Sequence, residues 1–550
     1  MTETRTVIEY VLDRLHDIGV TDIFGVPGDF AFPINDAIVA HPKINWIGCC
    51  NELNAAYAAD GYARVRGVGA VNTTYGVGEL SAISAIAGSY AENVPVVHLT
   101  GMPNRATQDG RAIVHHTLGN GEFELFRTMA DTVVAASAIL TPSNAVSETE
   151  RLIGAALYHR RPVYLAIPAD VVDQPVLATG QPVTLPVSNP ASLSAAADAI
   201  VAALEGASSG VVLPGLVVDR LGLRDAARGF IEAANLPFAT MFADKSVLDE
   251  SHPNFIGMYD GRLMDEAARE YVEGSDVVIS LGTLPSDFNT GAFTAKLDPA
   301  RTIDIEIHRT TIGATVYPDV EMGDLLSELA GRVYRTRALP QVPLPALGPV
   351  TGAGPDPITA DTLYPRWAGF LREDDLLVVD TGTSSMGLAF ATLPRGARFH
   401  NQTLWGAIGW ATPAALGAAV AARKRRLVLV TGEGSHQLTA QEIGQFARQG
   451  LAPVIFVLNN NGYLIERLLC KDPDIAYNDV AQWNYSELPH ALGCQDWYTP
   501  RVSTLAELDE ALEVAGAGDR ACYIEVVTGT YESPPLPKLL HDSVKTLYRS

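Results

Sequence analysis

The chain predicts an α/β protein built as three parallel-sheet domains in series. Helical and strand patterns alternate from one end to the other, as they do where helices pack on parallel sheets. The strand candidates are short, unbroken apolar runs that end in glycine loops, the pattern of strands buried on both faces. A length of 550 residues exceeds what one hydrophobic core supports and suggests about three domains.

Taken in order, Val7, Val11, Leu15 and Ile18 recur on one face of an opening helix. Residues 23–26, 95–99 and 162–167 are strand candidates of a first block, 1–180, closed by a loop rich in Pro, Thr and Gly over about 171–190. A second block, 191–338, has its clearest strands at 211–213 and 277–281. One of them ends in Leu281-Gly282-Thr283, which is not the G-x-G-x-x-G of a dinucleotide site, so no flavin or nicotinamide is supported there. The Pro-dense segment 339–359 reads as a linker, because proline suits neither a helix interior nor a central strand. The third block, 360–550, places strands at 376–380, 426–430, 453–458 and 523–527.

A net charge of −24 leaves no basic footprint for nucleic acid or an anionic membrane surface. No apolar run approaches the roughly 20 residues of a membrane span. Five cysteines, none in a C-x-x-C pair, suit reduced thiols. Met1 to Arg5 lead straight into the first helix, so the expectation is a cytoplasmic protein without a signal peptide.

The richest stretch is 426–466. An apolar strand ends in Gly432-Glu433-Gly434-Ser435, a helix over about 439–449 follows, and a second strand ends in Asn459-Asn460-Asn461-Gly462. Both loops should open at one edge of a parallel sheet. Glycines let backbone N–H groups approach phosphate, and Mg²⁺ takes oxygen donors at near-octahedral geometry. Glu433, the Asn460 amide oxygen and the Gly462 carbonyl are suitable donors, so the pattern builds a metal-diphosphate site.

Three features of the first block also point to chemistry. Asp29 follows a strand in the turn Gly25-Val26-Pro27-Gly28. Glu52 opens an alanine-rich helix, where the N-terminal dipole favours a carboxylate. His115 and His116 are adjacent, a poor pair for one metal on a helix or strand and better read as a hydrogen-bonding pair with one member facing a cleft.

These segments, with 73–81, 403–410 and 463–466, resemble the thiamine-diphosphate (ThDP) dependent 2-keto acid decarboxylases, closest to those acting on pyruvate, indolepyruvate, phenylpyruvate and branched-chain keto acids. Glu433 stands where most of that superfamily has Asp, a variation shared by some decarboxylases. The paired histidines separate the chain from acetolactate-synthase-like relatives. The resemblance implies pyrimidine-binding, central and diphosphate-binding domains, ThDP and Mg²⁺ as cofactors, and release of an aldehyde and CO₂. It makes Glu52 the partner of the cofactor's pyrimidine, so that the cofactor acts as its own base. It makes Asp29, His115, His116 and Glu466 a proton-handling set. Thr383, Ser384, Gly432, Glu433, Gly434 and Ser435 would hold the diphosphate, while Gly406 and Ile408 would hold the folded cofactor. It implies a homodimer at minimum, with first and third domains of different subunits facing each other, and commonly a homotetramer.

Pyruvate-specific relatives narrow the pocket with a bulky aromatic just after the strand that here ends at Asp380. Ser385 at that place suggests room for an aromatic or medium-chain keto acid, with Thr381, Met386, Phe288, Ile465 and Leu469 as further pocket candidates. A ThDP-dependent carboligase or C–C lyase, and a non-catalytic ThDP-binding protein, remain as alternatives.

Overall fold

The computed structural model describes residues 4–177, 183–335, 337–344 and 346–548. Residues 1–3, and 178–182 of the expected closing loop, lie outside the described residues. Contacts gather the chain into two compact units, one of residues 1–186, 409–424 and 439–452, the other of 187–408, 425–438 and 453–550.

In the first unit six parallel strands lie in the order Asn45–Gly48, Asp22–Gly25, Gly69–Thr74, Val96–Met102, Val163–Pro168, Ala136–Ile139. The four innermost of these runs hold mostly apolar residues, and every residue of Asp22–Gly25, Gly69–Thr74, Val96–Met102 and Val163–Pro168 is buried. The opening helix spans Val7–Asp17. Thr6 and Glu9 form a reciprocal capping box at its start, and Val7, Val11 and Leu15 are buried. Thr4–Thr6 also pairs antiparallel with Pro175–Leu177.

The helix Glu52–Arg66 is capped by Asn51, whose side chain accepts from the Asn54 amide at 2.8 Å, and ends at Gly67 with φ +95°. It packs on the helix Ala411–Ala421 almost backbone to backbone. A side chain on Gly61 would fall on the Ala414 backbone, and one on Gly417 on the Ala58 carbonyl. Small residues are required on both sides for this approach. Next to it the buried Arg64 guanidinium pairs with Asp60 at 2.7 Å and Glu92 at 2.8 Å, while the Trp410 indole N–H donates to Asp60 at 2.9 Å. A buried cation held by two carboxylates satisfies the requirement that interior charge be paired.

The second unit contains two sheets. One orders its strands Phe255–Met258, Phe238–Thr240, Gly210–Pro214, Val277–Leu281, Thr302–Ile305, Arg309–Ile312, Thr315–Pro318. Its last two strands run antiparallel, where a wholly parallel sheet was expected. Gly313, with φ +56°, supplies the two-residue turn that folds this edge back. The other sheet is parallel throughout, in the order Arg398–His400, Leu376–Val379, Leu427–Gly432, Val454–Asn459, Cys522–Val527, Arg501–Val502. Between the two lies 339–359, without a helix or strand among its described residues.

The single helix expected over 439–449 is broken. A short helix starts at once on Glu433 and runs to Gln437, a 3₁₀ turn covers Ala440–Glu442, and Ile443–Arg448 is helical again. Thr439 makes the break. Its φ of −141° is not helical, and its hydroxyl donates to the Gly409 carbonyl at 2.7 Å.

Candidate active site

Three neighbouring strands of the second unit, Leu376–Val379, Leu427–Gly432 and Val454–Asn459, end at the same edge. Their following loops enclose a cavity of about 350 Å³. Thr381, Thr383 and Ser384 border it from the first loop, Gly432 to Ser435 from the second, and Asn460 and Gly462 from the third. Ile408, Ile465 and Glu466 complete the set of expected residues found there.

Glu433 is buried at the N-terminus of its short helix, and its Oε1 accepts the Gly462 amide at 2.7 Å and the Asn460 amide at 3.1 Å. Burial lifts this carboxyl to about 7, against the opposing pull of the Gly462 and Asn460 N–H groups. The Asn460 amide oxygen lies 3.2 Å from Glu433 Oε1 and 2.8 Å from the Gly462 carbonyl oxygen. Acceptors gathered in this way repel one another unless a cation lies among them or the amide turns over to donate. The three oxygens are hard donors of the kind Mg²⁺ takes.

The loops also leave room for a diphosphate. A Cβ on Gly382 or on Gly432 would enter open space, and both glycines border the cavity. Gly434 is glycine for a different reason, since a side chain there would strike the Tyr463 ring.

The remaining candidates of this unit lie off the cavity lining. Gly406, with φ +65°, sits in the loop before Ile408. Ser385 is turned inward, and its hydroxyl donates to the Gly382 carbonyl at 2.9 Å. Met386 is buried in the core of the unit, against which Phe288 and Leu469 pack. The run Thr383–Leu388 is a helix rather than an extended loop, and that turns residues 385 and 386 away from the opening. Tyr463, Tyr477 and Asn478 line the cavity without having been singled out. Of these only Tyr463 had a readable signal, the glycine it demands at 434.

In the first unit, Asp29, Glu52 and the histidine segment all follow the C-terminal ends of strands of one parallel sheet, those before Asp29 and Glu52 being neighbours. Asp29 Oδ2 lies 2.6 Å from His115 Nε2, and Asp29 Oδ1 lies 4.0 Å from His116 Nδ1. The two rings meet edge to face at 4.6 Å, and Phe30 stacks on His115 at 4.7 Å. His116 adopts φ +61°, which brings both neighbouring rings to one carboxylate. Neither helix nor strand periodicity applies to such a turn, so the divergence expected of adjacent histidines does not occur. Their ligand atoms and an Asp29 oxygen lie within 4.8 Å of one another. The stacking partner Phe30 was not foreseen.

Glu52 is half-buried in the first turn of its helix. A Cβ on Gly78 would come within 3.2 Å of Glu52 Oε1. Glu442 steadies the same turn from beneath, where it is fully buried and accepts from the Asn54 side chain at 2.7 Å and the Cys50 amide at 3.2 Å.

Three family models match the chain. Residues 5–124 match the thiamine pyrophosphate enzyme N-terminal TPP binding domain, 197–328 the central domain, and 380–526 the C-terminal TPP binding domain. An alpha-keto-acid decarboxylase of Mycobacterium leprae (strain TN) is 42% identical over 538 residues, covering 96% of this chain and 94% of that protein. The chain belongs to the thiamine-diphosphate-dependent 2-keto acid decarboxylase family. Proteins of the same description from Mycobacterium avium (strain 104) and Mycobacterium tuberculosis (strain ATCC 25618 / H37Rv) are each 42% identical, over 546 and 540 residues, covering 98% and 96% of this chain and 96% of each of those proteins. Membership in this decarboxylase family fits the open glycine cradle at Gly382 and Gly432. Among the described residues, no helix is long and apolar enough to cross a membrane, and the five cysteines form no disulfide.

Proposed function

We propose that the protein converts 2-keto acids with aromatic or medium-length side chains to aldehydes and CO₂. It would use ThDP with Mg²⁺ held by Glu433, Asn460 and Gly462, in the cytoplasm, as a homodimer at least and a homotetramer in full. The three-block division at 1–180, 191–338 and 360–550 belongs to the same proposal.

The observation that carries this reading is the cluster of Asp29, His115 and His116, in which the ligand atoms of three proton-handling groups lie within 4.8 Å of one another. A decarboxylation must be followed by delivery of a proton to carbon, and these groups can hold and pass one. Bound ThDP supplies an electron sink for the carbon that loses CO₂. Glu52 would offer a carboxylate to the cofactor's pyrimidine, from the first turn of its helix. Thr383, Ser384, Gly434 and Ser435 would orient the diphosphate, and Ile408 would support the folded cofactor from an apolar side. Glu466 is exposed at the cavity beside the apolar Ile465, a setting in which one acid can serve as a proton donor next to an apolar substrate chain. Substrate preference rests on Ile408 and Ile465, because Ser385 does not border the cavity. The exposed Leu404, Trp405 and Trp483 of the second unit support self-association.

The test is aldehyde formation from pyruvate, phenylpyruvate, indolepyruvate and a branched-chain keto acid with ThDP and Mg²⁺, beside Glu52→Gln. Aldehyde from the larger acids that disappears in the variant is the expected result. No aldehyde from any of them, with ThDP bound, would leave carboligation or mere binding, which added acceptor aldehyde then separates.

A further inference from the structure

The loop that carries Asn460 and Gly462 is not a relaxed turn. Asn461 has φ +65° and Gly462 φ +145°, so two consecutive residues occupy the left-handed half of backbone space. Asparagine tolerates that region better than most residues, yet a lone loop would not hold it. Something must fix this shape for the Asn460 and Gly462 oxygens to converge.

Arg467 is placed to do so. It lies on the helix Leu464–Leu469, one residue beyond Glu466, and is 5% exposed. Its Nη2 donates to the Asn461 carbonyl at 2.8 Å and to Asp479 at 2.9 Å. The guanidinium lies flat against the turn: a Cβ on Gly462 would stand 2.5 Å from Nη2 and 2.8 Å from Cζ. The buried Nε and Nη1 find no acceptor among the described residues. A guanidinium buried with two donors unsatisfied is a poor stabilising element by itself. Its contact with the turn accounts for its presence better than its contribution to packing does.

We propose that Arg467 is a positioning residue for the metal site. It locks the Asn460–Gly462 turn in its left-handed shape and ties that turn to the helix bearing Glu466, so that metal affinity and the placement of Glu466 depend on one side chain. The inference rests on the reading of Glu433, Asn460 and Gly462 as metal ligands. Groups that orient metal ligands from behind typically change affinity 10- to 100-fold when removed.

The test uses the full-length protein with ThDP and Mn²⁺ as the probe, following free Mn²⁺ by electron paramagnetic resonance. Arg467→Met, a neutral side chain of similar length, should bind Mn²⁺ about 10- to 100-fold more weakly than wild type. Arg467→Lys should fall between, since one ammonium reaches the Asn461 carbonyl without spanning the turn. At saturating metal, Arg467→Met should still show a lower kcat with a KM near wild type, because Glu466 has lost its tether. Wild-type Mn²⁺ affinity in Arg467→Met overturns the proposal. If that variant does not fold, Arg467→Lys decides, and unchanged affinity there overturns it equally. A wild-type protein that binds no Mn²⁺ with ThDP would instead refute the metal reading itself and the proposal with it.

Discussion

Glu433 Oε1 and the Gly462 amide nitrogen lie 2.7 Å apart, joining the loops that follow two neighbouring parallel strands. The bond places a buried carboxylate beside the two other oxygens of the candidate metal site. The same oxygen also accepts the Asn460 amide at 3.1 Å, so this loop holds the carboxylate from two sides.

Glu433→Ala should therefore lose both the anion and the support of the turn. Metal-dependent ThDP binding should weaken by about 100-fold or more, beyond the usual effect of a residue that only orients a ligand. Glu433→Asp should keep binding with a smaller loss, since the carboxylate is retained one methylene short. Titration of ThDP into each variant at fixed Mg²⁺ checks both outcomes.

Glu52→Gln should keep cofactor binding and lose aldehyde formation by about 10²- to 10⁴-fold, the range of a positioned acid–base group. Equal ThDP affinity with equal activity in wild type and variant would remove Glu52 from the chemistry.

His115→Phe retains the stacking surface for Phe30 and removes the hydrogen bond to Asp29. Its kcat should fall about 10²-fold or more, with little change in thermal midpoint, because His115 is largely exposed. A coupled aldehyde assay beside a melting curve separates the two effects.

A buried acid of the first unit should make stability depend on pH. Glu79 is buried, accepts from the Gly76 amide at 2.7 Å and the Tyr164 hydroxyl at 2.7 Å, and is lifted by burial to about 7 from an ordinary 4.5. Between those values the folded state holds more protons than the unfolded one. Its contribution to stability therefore falls as pH rises from about 4.5 to about 7 and is flat beyond. Glu79→Gln does not titrate, so the melting temperature of wild type relative to this variant should decline over that window. A constant difference across pH 5 to 8 would show that Glu79 is ionised in the folded protein at all these values.

Much of this arrangement was legible in the sequence because strand, glycine loop and acid occur in fixed order. Glu433, Asn460 and Gly462 could be paired from spacing, since parallel strands force their following loops to one edge. The positions of Asp29 and Glu52, just after strand ends, were legible for the same reason. What could not be read depends on local dihedrals or on distant packing. His116 escapes both regular periodicities through its positive φ. Ser385 faces inward because the chain turns helical at Thr383, directly after the glycine at 382. Tyr477 and Asn478 reach the cavity from a segment of irregular turns with no periodicity to follow. Arg467 looks like an ordinary charged helix residue until its burial is seen.

The close crossing of Glu52–Arg66 and Ala411–Ala421 bears on tolerance to change. Adding a methyl group at Gly417 or Gly61 forces the two helices themselves to shift, because the obstacle is backbone rather than a pliable side chain. Overpacking of this kind typically costs about 1–3 kcal/mol, and Gly417→Ala should lower the thermal midpoint accordingly. Glu52 thus stands at the end of a rod gripped near its middle, nine residues from the grip at Gly61. A displacement of that contact acts on the carboxylate through a lever arm of about 14 Å, at about 1.5 Å per helical residue. Small errors in an inert-looking alanine and glycine seam would arrive magnified at the residue where accuracy matters most.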